Sequence, residues 1–146
     1  MHLEVKSYPA GKIVSDLARQ FDGDLSQVGE VYISTLPKKL GNGEIRGVNL
    51  PSGMSLLSFS CQFNQTTFLN FNGLQAHQAQ IAFINRGRLK LNLASQKEPI
   101  KMHRFQTALL ELNDSSVQLI DQEKHEFFIL QIHKGFLLSE NLSDIQ

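Results

Sequence analysis

Apolar and polar residues alternate through most of the chain. From Met54 to Phe63, Leu57, Phe59, Cys61 and Phe63 fall on one side and Ser58, Ser60 and Gln62 on the other. From Arg88 to Leu93, Leu89, Leu91 and Leu93 alternate with Arg88, Lys90 and Asn92. A period of two is the signature of a half-buried strand. Further strands are expected over 30–36, 44–50, 66–71, 100–102, 106–112, 117–120 and 126–133. Pro37, Gly41-Asn42-Gly43, Pro51-Ser52-Gly53, Asn64-Gln65, Asn72-Gly73 and Asn113-Asp114-Ser115 supply the turns between them. The stretch Ala79–Leu93 reads as a hairpin whose tight turn is Asn85-Arg86-Gly87, with Gly87 free to take a positive φ. About ten short, closely spaced strands predict an all-β sandwich or barrel.

Two segments break the alternation. Ile13, Leu17 and Phe21 recur every four residues between Lys12 and Phe21, with Val14 and Ala18 beside them. This predicts a short helix over one end of the barrel, stopped at Asp22-Gly23. In the polar tail, Leu138, Leu142 and Ile145 have the spacing of one helical face. That run reaches the last residue without a stop signal, so the natural polypeptide is expected to continue. The expected organisation is one domain over 1–146: an arm and helix over 1–24, a β-barrel over 25–135, and the start of a C-terminal helix over 136–146.

A chain of 146 residues suits one domain and buries roughly 70% of its unfolded surface. Its formal net charge is zero, which argues against unaided binding of duplex DNA, where phosphate neutralisation supplies most of the affinity. No run approaches a membrane span, and the N-terminus lacks the apolar stretch of a signal peptide. The single Cys61 cannot form an internal disulfide. These features lead us to expect a cytoplasmic protein.

Catalytic patterns are sparse. The five histidines, His2, His77, His103, His125 and His133, include no pair two or four residues apart on one element, so no bound metal is expected. There is no Gly-x-Ser-x-Gly elbow. Cys61, between Phe59 and Phe63, reads as packing rather than a nucleophile. Gly41, Gly43 and Gly47 miss the dinucleotide-binding spacing and read as a turn. Glu123 and Glu126, around His125, read as a solvated loop. Arg86, Arg88, Lys90, Lys97, Lys101 and Arg104 read as the solvated exterior of the hairpin.

The order of segments resembles the N-terminal sensor domain of AraC-type transcription regulators, in a branch common in Bacteroidetes. The similarity lies in the leading helix, then Leu36-Pro37 with Gly41-Asn42-Gly43-Glu44-Ile45, and Leu50-Pro51-Ser52-Gly53-Met54-Ser55-Leu56. It continues through Phe59-Ser60-Cys61-Gln62-Phe63-Asn64-Gln65 to Phe83-Ile84-Asn85-Arg86-Gly87-Arg88-Leu89. The resemblance implies a cupin-like double-stranded β-helix of jelly-roll type, which binds a small effector inside and forms a homodimer near its C-terminal helix. DNA contact would fall to a helix-turn-helix module that this chain lacks. In metal-dependent cupins a His-x-His pair, a glutamate and a later histidine hold the metal. Here Gln78 and Ala79 follow His77, and no acid occurs before Gly87. The expected activity is therefore sensing without catalysis or cofactor. The expected ligand contacts are Phe59, Cys61 and Phe83 as walls, Gln80 and Gln131 as hydrogen-bonding groups, and His77 near the barrel mouth. Two alternatives remain: a small stand-alone cupin enzyme, of isomerase or dioxygenase type, with an atypical site, and a barrel that mediates protein contacts only.

Overall fold

The computed structural model describes residues 1–6, 9–72, 78–94, 96–110, 112 and 114–133. The described residues contain one α-helix and twelve strands. In chain order these are β1 (His2–Val5), α1 (Ala10–Gln20), β2 (Ser26–Val28), β3 (Val31–Thr35), β4 (Gly41–Asn49), β5 (Ser55–Phe63) and β6 (Thr67–Phe71). There follow β7 (Gln78–Arg86), β8 (Leu89–Asn92), β9 (Ile100–Met102), β10 (Thr107–Leu110), β11 (Ser115–Leu119) and β12 (His125–His133). A turn of 3-10 helix, Pro51–Gly53, separates β4 from β5. β1 and β2, of four and three residues, were not expected from the sequence.

Pairing defines the architecture. β5 pairs antiparallel with β12, β6 with β11, β7 with β10 and β8 with β9. The last eight strands thus behave as one long nested hairpin. Rolled up, it gives sheet orders β10-β7-β12-β5 and β6-β11-β8-β9. This is the eight-stranded, two-sheet jelly roll of cupins, so the fold is all-β and cupin-like. β4, β3 and β2 extend the first sheet beyond β5, and β1 extends the second beyond β6, in parallel.

This topology corrects the expected hairpin. β7 and β8 are consecutive but do not pair; they lie in different sheets. Gly87, at φ +87, turns an arch that carries the chain across the sandwich. A methyl group placed on Gly87 would sit 2.7 Å from the Lys124 carbonyl oxygen, so the arch packs closely on the segment leading into β12. The glycines at 41, 43 and 47, expected in a turn, lie within β4.

The inner faces are apolar. β5 buries every odd-numbered residue from Ser55 to Phe63. Leu57 and Phe59 meet Ile129 and Phe127 of β12 in register. Leu69 and Phe71 on β6, Leu89 and Leu91 on β8, and Val117 and Leu119 on β11 face them from the second sheet. Phe59 and Phe127 stack with centroids 4.6 Å apart and rings 7° from parallel, a pairing worth about 1 kcal/mol beyond area burial.

The helix α1 buries Ala10, Ile13, Val14, Leu17 and Ala18. It packs against β4 and β3, with smaller contacts to β1 and β5. It therefore closes a side of the sandwich, between the extended margins of the two sheets, rather than an end. Gly47 permits the approach, since a Cβ there would lie 2.6 Å from the Ala10 carbonyl oxygen. No local side chain caps the helix. Its first N–H groups donate instead to Ser55 Oγ at 3.1 Å and Asn49 Oδ1 at 2.9 Å, so the sheet supplies the caps that helix ends require. At the other end Asp22, not Gly23, takes the left-handed conformation, at φ 58. Gly23 N–H donates to Ala18 O at 2.8 Å, the long bond of a Schellman stop. The expected C-terminal helix over 136–146 lies outside the described residues.

Candidate functional site

Strand geometry sorts the expected ligand contacts. Phe59, Cys61, Gln80 and Gln131 all lie on the inner face and are buried. Phe83 does not join them. It is half-buried on the outer face of the larger sheet, tilted against Phe128 at 6.4 Å. An unbroken strand places positions 80 and 83 on opposite faces, so the expectation of Phe83 as a wall is corrected. His77 lies outside the described residues.

Gln80 and Gln131 are register partners on β7 and β12, and Ser55 on β5 is the next partner of Gln131. The three form a polar row across adjacent strands near one end of an otherwise apolar face. All are buried, Gln80 at 1% and Gln131 at 3% exposure. Gln80 Oε1 accepts the Leu112 N–H at 3.0 Å, and Ser55 Oγ is engaged by Ala10. Neither glutamine Nε2 has a hydrogen-bond partner among the described residues. A buried donor left unmade costs about 1–3 kcal/mol, and two side by side are unusual enough to mark the row as the candidate binding site. Ser55 escaped notice in the sequence, although its parity with Leu57, Phe59 and Cys61 places it inward.

The opposite end carries a second polar cluster that the sequence did not suggest. His125 is fully buried and pairs in register with Cys61. Its Nε2 lies 3.1 Å from the Arg88 carbonyl oxygen and 3.9 Å from Glu123 Oε2. A carbonyl only accepts, so Nε2 carries the proton and donates; Nδ1 then has no partner. Arg88 Nε also donates to Glu123 Oε1 at 3.2 Å, so Glu123 is a fixed, partly buried group rather than part of a solvated loop. Burial lowers the His125 pKa, with the Glu123 carboxylate opposing the shift. Burial pushes the Cys61 thiol up to about 12. A thiol used as a nucleophile is shifted the other way, so Cys61 and His125 are not an activated pair.

These donors do not fit a metal. Among the described residues no three His, Cys, Asp or Glu side chains converge to hold an ion. The two described inward side chains of the polar row on β7 and β12, Gln80 and Gln131, are amides, which are poor ligands for transition metals. An open surface groove of about 380 Å³ is lined by Asn70, Asn72, Asn92, Ser115 and Ser116, with Asp114 as its single carboxylate.

No protein-family profile matches the chain, and no curated protein matches it. Solved structures with a similar course exist at low identity. An HTH_3 family transcriptional regulator from Vibrio cholerae is 10% identical, with a TM-score of 0.47 over 71% of this chain and 51% of that one. Ectoine synthase from P. lautus is 11% identical, with a TM-score of 0.45 over 73% and 75%. The Cupin_2 domain of an XRE family transcriptional regulator from Enterobacter cloacae is 6% identical, with a TM-score of 0.43 over 71% and 97%. The chain spans about half the length of the Vibrio cholerae protein. At such scores these likenesses do not discriminate a regulator from an enzyme, and the jelly roll rests on the strand pairing itself.

Proposed function

We propose that this chain is the effector-sensing and dimerisation domain of an AraC-type bacterial transcription regulator. It takes a small molecule between its two sheets without a metal, acts in the cytoplasm as a homodimer, and leaves DNA contact to a helix-turn-helix module that this sequence does not contain. The observation that carries the ligand-binding part is the pair of buried, unpartnered amide nitrogens on Gln80 and Gln131. An apolar interior with a few unmet polar groups is the usual composition of a ligand pocket. The AraC assignment is supported by the order of segments from Leu36-Pro37 to the Gly87 turn, carried on a jelly-roll fold.

The competing proposal is a cupin enzyme with an atypical site. Elemental analysis of the purified protein separates the two. A sensor of this kind carries a transition metal at well below one equivalent. One tightly held metal per chain would overturn the proposal.

A further inference from the structure

We propose that the effector is an uncharged molecule with an apolar body and a carbonyl acceptor, such as an ester, lactone or amide. This deepens, and rests on, the sensing role proposed above. The unmet groups are both N–H donors, so they select acceptors. They belong to directly opposed residues, whose Cβ atoms lie about 5 Å apart, so one carbonyl-bearing group can meet both. Among the described residues the buried polar ones are Ser34, Ser55, Thr67, Gln80, Ser115, His125 and Gln131. None carries a permanent charge, and His125 is held neutral at the far end. A carboxylate placed between the glutamines would thus meet no buried cation among the described residues, a large desolvation cost. Toward the middle of the sandwich the inward residues after Gln80 and before Gln131 are Ala82 and Ile129, with Leu57 beside Ile129. These walls suit hydrocarbon. Ordered water is the other occupant that two free donors would accept.

The test is a titration of the full chain, followed through the side-chain NH2 signals of Gln80 and Gln131 in 15N–1H spectra. Four probes share one chain length: methyl hexanoate, hexanamide, hexanoate and hexylammonium. The two neutral carbonyl probes are expected to move both glutamine signals saturably, and hexanoate and hexylammonium to bind at least tenfold more weakly. In Q131L, melting as cooperatively as the parent, the neutral probes should lose roughly tenfold in affinity, the worth of one hydrogen bond. Tighter binding of hexanoate at the same signals would overturn the neutral class while leaving the sensing role intact. Binding that leaves both signals unmoved would place the ligand elsewhere and overturn the assignment of the glutamine pair. Glutamine signals that respond to none of the probes and exchange only with water would overturn the neutral-carbonyl class and leave the sensing role standing.

Discussion

At the residue scale, Gln80, Gln131, Cys61 and His125 differ in what their burial costs. If the glutamine donors serve a ligand, they burden the free protein. Gln131→Leu is expected to stabilise the unliganded chain by about 1 kcal/mol, raising its midpoint by roughly 2–4 °C in thermal denaturation, while weakening effector binding. Such opposition marks a residue kept for function. Cys61, with its pKa near 12, should resist a thiol reagent at pH 8 in the folded chain and react fully once urea unfolds it. Fast labelling of the native state would contradict the packing assigned to it. For His125, burial lowers the folded pKa below the ordinary value of about 6.5. The unfolded chain therefore takes up the proton first. Stability is full above about pH 6.5 and is lost as the pH falls through that value toward the lower folded one. Glu123, Arg88 and Cys61 face the ring from its neighbours, and the Glu123 carboxylate softens the effect. Urea midpoints should drop between pH 7.5 and pH 5.5, and drop less in His125→Gln. Gln80 and Gln131 were legible as polar residues inside apolar strands. Their adjacency and lack of partners were not, because register between distant strands leaves no local trace. Phe83 was misplaced by ignoring parity with Gln80.

At the element scale, strands were legible and their partners were not. Alternation fixed most of the ten expected strands to within a few residues, since one face of each is buried and the other is not. Nothing in Ala79–Leu93 distinguishes a hairpin from an arch: both need Gly87 at positive φ, and the difference lies in whether β8 turns back on β7 or crosses to β11. The N-terminal helix shows the same limit. Its apolar face predicted the element, but its caps come from Ser55 and Asn49, more than 35 residues away. Ser55→Ala should cost about 1 kcal/mol, in the range of a lost helix cap. Gly47→Ala, which drives a methyl group toward the Ala10 carbonyl, should cost roughly 1–3 kcal/mol by overpacking. Both are read from urea unfolding, and a Gly47→Ala chain as stable as the parent would show that α1 does not seat where β4 places it.

At the scale of the whole molecule, a nested hairpin of eight strands closes two sheets over an apolar interior. Margins added by β1 and by β2–β4 leave a side that α1 fills. That arrangement gathers inward residues from β5, β12 and β7 into one polar row at one end and isolates His125 with Glu123 at the other. The fold class was legible because short alternating strands with frequent turn residues admit few other solutions. The site was only half legible, since its chemistry depends on which strands become neighbours. The central claim, that this interior holds a neutral effector and no metal, is most directly tested by the melting temperature of the purified chain against a library of small metabolites, each with and without EDTA. A ligand at a hundred times its Kd contributes about 2.7 kcal/mol, or roughly 5–10 °C for a chain of this size. The prediction is a shift of that order by an uncharged carbonyl compound, unchanged by EDTA. A melting temperature that no compound raises, that EDTA lowers, and that one equivalent of a divalent metal restores would contradict it.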